Sequence, residues 1–182
     1  MSDPVSALNG ASFNGFATIR EVGPLGMISL RHKGGAALTK AIKAAVGTKV
    51  PAQRRIEIAG DKACGWMSPD EYLLVLPYAE VGAAMAALAK ALDGEHHLAA
   101  DVSDARAVFR VEGDKADQVL AKLSPVDFAT LEPGELRRSR AAQVAAAMWA
   151  QDGGFTVVCF RSVAVYVMGL LTHSAQPGSE LA

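Results

Sequence analysis

The residues of this chain best suited to chemistry are four histidines, two cysteines and a short arginine cluster, and their spacing limits what they could do. His32, His96, His97 and His173 contain no H-x-x-x-H pair, the spacing that sets two imidazoles on one helical face for zinc. The adjacent His96 and His97 are expected on opposite sides of a strand. No metal site is expected. Cys64 and Cys159 are too few for a disulfide framework and read as small buried hydrophobes on strands. No G-x-S-x-G elbow presents a serine. The lysine and glycines of "HKGGAALTK" lack the G-x-x-x-x-G-K-[ST] order that cradles phosphate, and read as a turn opening a helix. No G-x-G-x-x-G follows a strand, so the dinucleotide fingerprint is missing.

The acidic residues are scattered. Asp101 and Asp104 flank a turn, where aspartate is a good turn residue, and Asp127 follows a helix. The dense charge cluster is "ELRRSR", with Arg137, Arg138 and Arg140. It reads as a solvated strand edge, or as a contact for an anion or an acidic partner, because a guanidinium pairs with carboxylates in a forked geometry. No catalytic, cofactor-binding or metal-binding residue is assigned from these patterns.

The elements that must carry these residues come from a chain of 182 residues, 51% hydrophobic, with 18 basic against 19 acidic side chains. That length suits one domain or two small lobes. The charge balance argues against a nucleic-acid binder resting on many phosphate contacts. The apolar excess is largely alanine, and no run of about 18 apolar residues is long enough to span a membrane. With no secretory pattern at the start, a cytoplasmic location is expected.

Strands are predicted at "FATIREVG" and "LGMISLRHK", split at Gly23-Pro24, and a helix over "GGAALTKAIKAAVG" with Gly47 as its stop. "RRIEIAG" alternates as a half-buried strand, and "WMSPDEYLLVL" as a hairpin turning at Ser68-Pro69-Asp70. A helix follows over "EVGAAMAALAKALDG". The second half repeats the order, with Asp114 near a helix N-terminus and Ser162 as N-cap of the closing helix. "SRAAQVAAAMWAQ" has the alanine content of a helix, yet its place in the repeat predicts a strand. Trp66 and Trp149 stand at matching places, each six residues before an aromatic, Tyr72 and Phe155. Both are expected to act as core anchors, with ligand stacking as the other reading. Glu21-Val22 matches Asp101-Val102, and Arg31 matches Arg110. The fold expected is α+β: two ββαββα lobes, residues 15–94 and 95–173, with antiparallel or mixed sheets and helices on one face, packed about a pseudo-twofold axis. Residues 1–14 are expected to be a flexible arm and 174–182 a flexible tail.

Taken in order, "IREVGPLGMISLR", "GWMSPDEYLLVLP", "ADVSDARAVFRVEG" running into "LAKLSPVDF", and "FTVVCFRSVAVYVMGLL" resemble the gamma subunit of heterotetrameric sarcosine oxidase over about residues 16–171. Ser124 stands before Pro125 where that family often has cysteine. The resemblance implies the fold of the folate-binding aminomethyltransferases, including the glycine-cleavage T-protein. It also implies a structural, non-catalytic subunit, inactive alone, in a complex that demethylates sarcosine to glycine. That reaction yields H2O2, with formaldehyde or 5,10-methylenetetrahydrofolate. FAD, FMN, NAD, tetrahydrofolate and zinc would belong to the other subunits, and the partners would be alpha, with beta and delta. The alternative is a stand-alone folate-binding or aminomethyltransferase-like protein, or a subunit of a related N-methyl amino acid oxidase or dehydrogenase. Against the stand-alone reading, the Lys-Gly-Cys-Tyr segment of the folate-dependent iron–sulfur repair relatives is missing. So is the Asn and paired-Asp signature of the T-protein.

Overall fold

The computed structural model describes residues 3–181. Among them the first half of the chain forms β1 (Ser12–Asn14), β2 (Thr18–Val22), β3 (Leu25–Arg31), α1 (Ala36–Val46), β4 (Ile56–Ala59), β5 (Lys62–Ser68), β6 (Glu71–Pro77) and α2 (Val81–Ala91). The second half forms β7 (Leu98–Asp101), β8 (Arg106–Glu112), α3 (Ala116–Ala121), β9 (Leu136–Ala141), β10 (Val144–Gln151), β11 (Gly154–Phe160) and α4 (Ala164–Ser174). After β1 the two halves share one order, ββαβββα. The expected repeat is present with one more strand per half. The closing helix starts later than expected: Val163, not Ser162, is the N-cap of α4, and no side chain caps it.

All strand pairs are antiparallel, in two sheets ordered β1-β2-β8-β11-β10-β9 and β4-β5-β6-β3-β7. The first strand of each half leaves its own half. β2 pairs with β8, and β7 pairs with β3. Sequence order hides this exchange, so among the described residues the compact units are residues 3–23 with 104–181, and residues 24–103, rather than 15–94 and 95–173.

Each sheet packs helices on one face. In the first, Phe109, Val111, Met148 and Val157 meet Val119 and Leu120 of α3 and Val167 and Leu171 of α4. Phe128 and Phe155 meet there edge to face at 5.4 Å, worth about 0.5–1.5 kcal/mol beyond area burial. In the second, Ile28, Leu30, Leu74 and Leu76 meet Leu38 and Ile42 of α1 and Leu88 of α2. Alanine-rich β10 is a strand, as its place in the repeat predicts. Partners on both sides satisfy its backbone, and Met148, fully buried, pairs with Arg137 and Val157. Such tertiary demands override helix propensity.

The two tryptophans are not equivalent. β5 carries a bulge between Trp66 and Ser68, so Trp66 lies opposite Tyr72, while Trp149 lies opposite Thr156. One extra residue in a strand moves a side chain to the other face. Trp66 packs against its helix-covered core, whereas in β10 that face belongs to Met148 and Ala150. The registers also match Arg31 with Glu112, not Arg110, and confirm Glu21 against Asp101: Ile28 faces Asp101 as Phe109 faces Glu21.

The segments expected to be a loose arm and tail are tied down where described; residues 1, 2 and 182 lie outside the described residues. Glu21, only 3% exposed, accepts hydrogen bonds from Ser6 Oγ (2.8 Å), Leu8 N (3.0 Å) and Gly10 N (2.8 Å). Arg161 donates to the Val5 and Ser6 carbonyls. Lys122 Nζ donates to Ser174 O at 2.8 Å and to Ser179 O, and Leu181 N donates to Gln118 Oε1. A buried carboxylate can hold three donors because each bond to a charge is stronger than a neutral one.

Two outcomes follow from these contacts. Glu21→Ala orphans donors around one buried site and is expected to cost about 2–3 kcal/mol in urea unfolding. It should also open residues 3–11 to protease, with Glu21→Gln milder on both measures. Gly154 has φ +147°, and a Cβ there would lie 2.0 Å from Val111 O. Neighbouring Gly153 has φ +77° with nothing within 4 Å of such a Cβ. Gly153→Ala should therefore cost only the left-handed strain, about 1–2 kcal/mol. Gly154→Ala should cost clearly more, and equal losses in thermal unfolding would refute the clash.

Candidate functional site

The first candidate is an open cleft of about 340 Å³ in the unit formed by residues 24–103. It is lined by Arg31, His32 and Lys33 at the end of β3, Asp70 in the β5–β6 turn, and His96, His97 and Leu98 at the start of β7. His96 and His97 precede β7 rather than alternating within it, so both reach the cleft, contrary to expectation. Gly34 donates its N–H to His32 Nδ1 at 3.1 Å, which in the neutral ring leaves the proton on Nε2. That atom faces Glu95 Oε2 at 3.8 Å, too long for a strong hydrogen bond. Arg31 lies 3.3 Å from Glu71 and 3.7 Å from Asp70, and Ser68 Oγ holds Asp70 at 3.0 Å. His97 Nδ1 lies 2.9 Å from Glu95 O. Within the cleft Arg31 and Asp70 thus compensate each other. No group of three or more His, Cys, Asp or Glu suited to a metal occurs among the described residues.

The second candidate is the polar network around Arg110, on the face of β8 opposite Phe109 and Val111. Arg110 is 8% exposed. Its Nε lies 3.3 Å from Glu112 Oε1, NH1 donates to Thr156 Oγ1 at 3.0 Å, and NH2 donates to Asp152 O at 3.2 Å. Thr156 Oγ1 and Trp149 Nε1 both donate to Gln151 Oε1 at 3.0 Å. Burial lowers the Arg110 pKa, and Glu112 works against that shift. The network absorbs its own polar groups, as buried networks must, and reads as structure. The signal for it was available in "AVFRVE", where one charge interrupts an apolar strand, but its partners lie on β11 and in the β10–β11 turn.

Neither cysteine is a nucleophile at neutral pH. Burial raises the Cys64 thiol well above its ordinary range, and pushes Cys159 up to about 11. Only the thiolate attacks.

The sequence-derived residues Arg137, Arg138 and Arg140 all lie on β9, the last strand of the first sheet. They do not line the cleft described above. Arg137 turns inward to Glu135 (3.1 Å) and to the Leu136 carbonyl (3.1 Å), while Arg138 and Arg140 are exposed.

Comparison with known proteins places this geometry. The model of the "Sarcosine oxidase, gamma subunit family" matches residues 32–175. The sarcosine oxidase subunit gamma of Arthrobacter is 34% identical over 125 residues, 67% of this chain and 60% of the relative. The chain therefore spans less than two thirds of that relative's length. A chain of the heterotetrameric sarcosine oxidase of Corynebacterium sp. U-96, solved with pyrrole 2-carboxylate, superposes with TM-score 0.79 and 26% identity, covering 87% of this chain and 83% of that one. The glycine cleavage aminomethyltransferase T of Bartonella henselae superposes with TM-score 0.63 over 86% of this chain and 45% of that one. At 13% identity it shares the fold alone. With a family model covering residues 32–175 and a curated relative 34% identical, the chain belongs to the sarcosine oxidase gamma subunit family.

Proposed function

We propose that this chain is a non-catalytic, structural subunit of a heterotetrameric sarcosine oxidase. The assembly would oxidatively demethylate sarcosine to glycine, with H2O2 and either formaldehyde or 5,10-methylenetetrahydrofolate as the other products. The observation that carries the reading is the likeness to a chain of a heterotetrameric sarcosine oxidase over 87% of this chain. The chain's own chemistry supports it. Arg31 and Arg110 face carboxylates, and burial raises the pKa of both thiols. FAD, FMN, NAD, tetrahydrofolate and zinc are assigned to the other subunits. The alpha subunit is assigned as the direct partner, with beta and delta completing the complex. No helix among the described residues is long and apolar enough to cross a membrane.

Co-expression with the alpha, beta and delta subunits of such an oxidase tests this reading. The chain should co-elute with them in a complex burying at least about 1,000 Å² at its contact. Alone it should carry no flavin and turn over no sarcosine. Separate elution, or amine oxidation by the chain alone, would overturn the proposal. Tight calorimetric binding of tetrahydrofolate to the isolated chain would favour a stand-alone folate protein instead.

A further inference from the structure

The cleft at the end of β3 is lined by basic side chains that the fold itself does not need. Arg31 faces Leu98 of β7, as Glu112 of β8 faces Thr18 of β2 in the other repeat. Counting outward from those pairs, His32 and Lys33 correspond to Gly113 and Asp114, and His96 and His97 to Phe16 and Ala17. At the place equivalent to the cleft, Ala17 is buried in the core of the first sheet and Phe16 packs against that core. The lysine and the histidine pair therefore belong to one repeat only, and burial gives no reason for them.

The carboxylates around the cleft are already engaged. Asp70 lies 3.7 Å from Arg31 and is held by Ser68 Oγ, Glu71 lies 3.3 Å from Arg31, and Glu95 Oε2 faces His32 Nε2 at 3.8 Å. His32 itself is buried and accepts the Gly34 N–H. Three basic groups are left over. Lys33 and His96 are exposed and form no hydrogen bond or ion pair with another described residue. His97 is half-buried, with Nδ1 2.9 Å from the Glu95 carbonyl oxygen. A carbonyl only accepts, so Nδ1 carries the proton, and Nε2 is left to take up a second one and donate it. Leu98, 56% exposed, adds an apolar wall. The cleft volume of about 340 Å³ matches the lower end of small-molecule sites and far exceeds the space of one water.

We propose that this cleft binds a small organic anion, a carboxylate or a phosphate monoester. Lys33, His96 and His97 Nε2 hold its charged group, and its apolar part lies against Leu98. A lysine ammonium supplies a mobile point charge and a protonated imidazole a directed donor, and bonds of both kinds to an oxyanion are the strong ones. The anion in turn favours the protonated ring, so binding takes up protons. The site does not depend on the subunit reading above.

The test titrates the full-length chain, alone and in the co-expressed complex, with benzoate, acetate, phenyl phosphate and benzyl alcohol. Calorimetry and the histidine ring signals in NMR report binding. Benzoate should bind the free chain with a Kd of about 1–10 mM. Acetate should bind about threefold or more weakly, since it lacks the ring that meets Leu98. Benzyl alcohol should leave the rings of His96 and His97 unmoved. Benzoate keeps its single charge from about pH 8 to about pH 6, and its binding should tighten about threefold or more over that interval as imidazole gains a proton. The double variant K33Q/H96Q should fold, by circular dichroism, yet bind benzoate about tenfold or more weakly. Lys40→Gln, exposed on α1, should bind as wild type does. Leu98→Ser should erase the advantage of benzoate over acetate. Phenyl phosphate held more tightly than benzoate would assign the phosphate class, and the reverse order the carboxylate class. Benzyl alcohol binding as well as benzoate, or K33Q/H96Q binding as tightly as wild type, would overturn the site. Binding by the free chain that is lost in the complex would show that a partner's surface fills the cleft, and would overturn the small-ligand assignment.

Discussion

The exchange of first strands is the constraint on which the rest of the structure depends. Each half of the chain builds β3-β6-β5-β4 or its counterpart β8-β11-β10-β9 by itself, but leaves β3 or β8 with an unpaired side. Unpaired strand edges expose a row of donors and acceptors. β7 fills that row on β3, and β2 fills it on β8. β2 and β8 lie far apart in sequence, so the first sheet cannot be completed until the second half has been made. Long-range pairing of this kind is what slows the folding of β-rich chains.

A carboxylate stands at the equivalent place near the end of each exchanged strand. Asp101 accepts the Ser103 N–H at 3.0 Å and the Ser103 hydroxyl at 2.5 Å, and that hydroxyl oxygen in turn accepts the Met27 N–H at 2.9 Å. Glu21 gathers Ser6, Leu8 and Gly10 in the same position of the other repeat. In one half the longer side chain anchors an N-terminal segment; in the other the shorter one fastens the strand to the turn that follows it. Both tie the chain where it passes from one sheet to the other. The match of Glu21-Val22 with Asp101-Val102, visible as a faint repeat of residue types, therefore has a common structural cause.

Much of the fold was legible because burial imposes its period on the residues. The alternation in "RRIEIAG" and the stripe of Leu38, Ile42 and Val46 gave the right elements, and the repeat correctly overruled alanine's helix propensity in β10. What stayed hidden was non-local. No residue type reports which sheet β2 joins. The bulge at Met67 is a single uncounted residue, yet it sends Trp66 and Trp149 to opposite faces, so equal spacing misled where register decided. The arm looked loose because its sequence is polar and aperiodic. It is held instead by Glu21 and Arg161, side chains that lie elsewhere in the chain.

No catalytic residue was assigned from the sequence, and the structure shows how the candidate groups are engaged. A catalytic group needs a pKa suited to its task and an unoccupied direction toward a substrate. Here His32 turns its ring into the protein, Arg31 and Arg110 face carboxylates, and the thiols are sealed in cores. The T-protein likeness shows that this fold is compatible with quite different residues, since function resides in sites and not in folds.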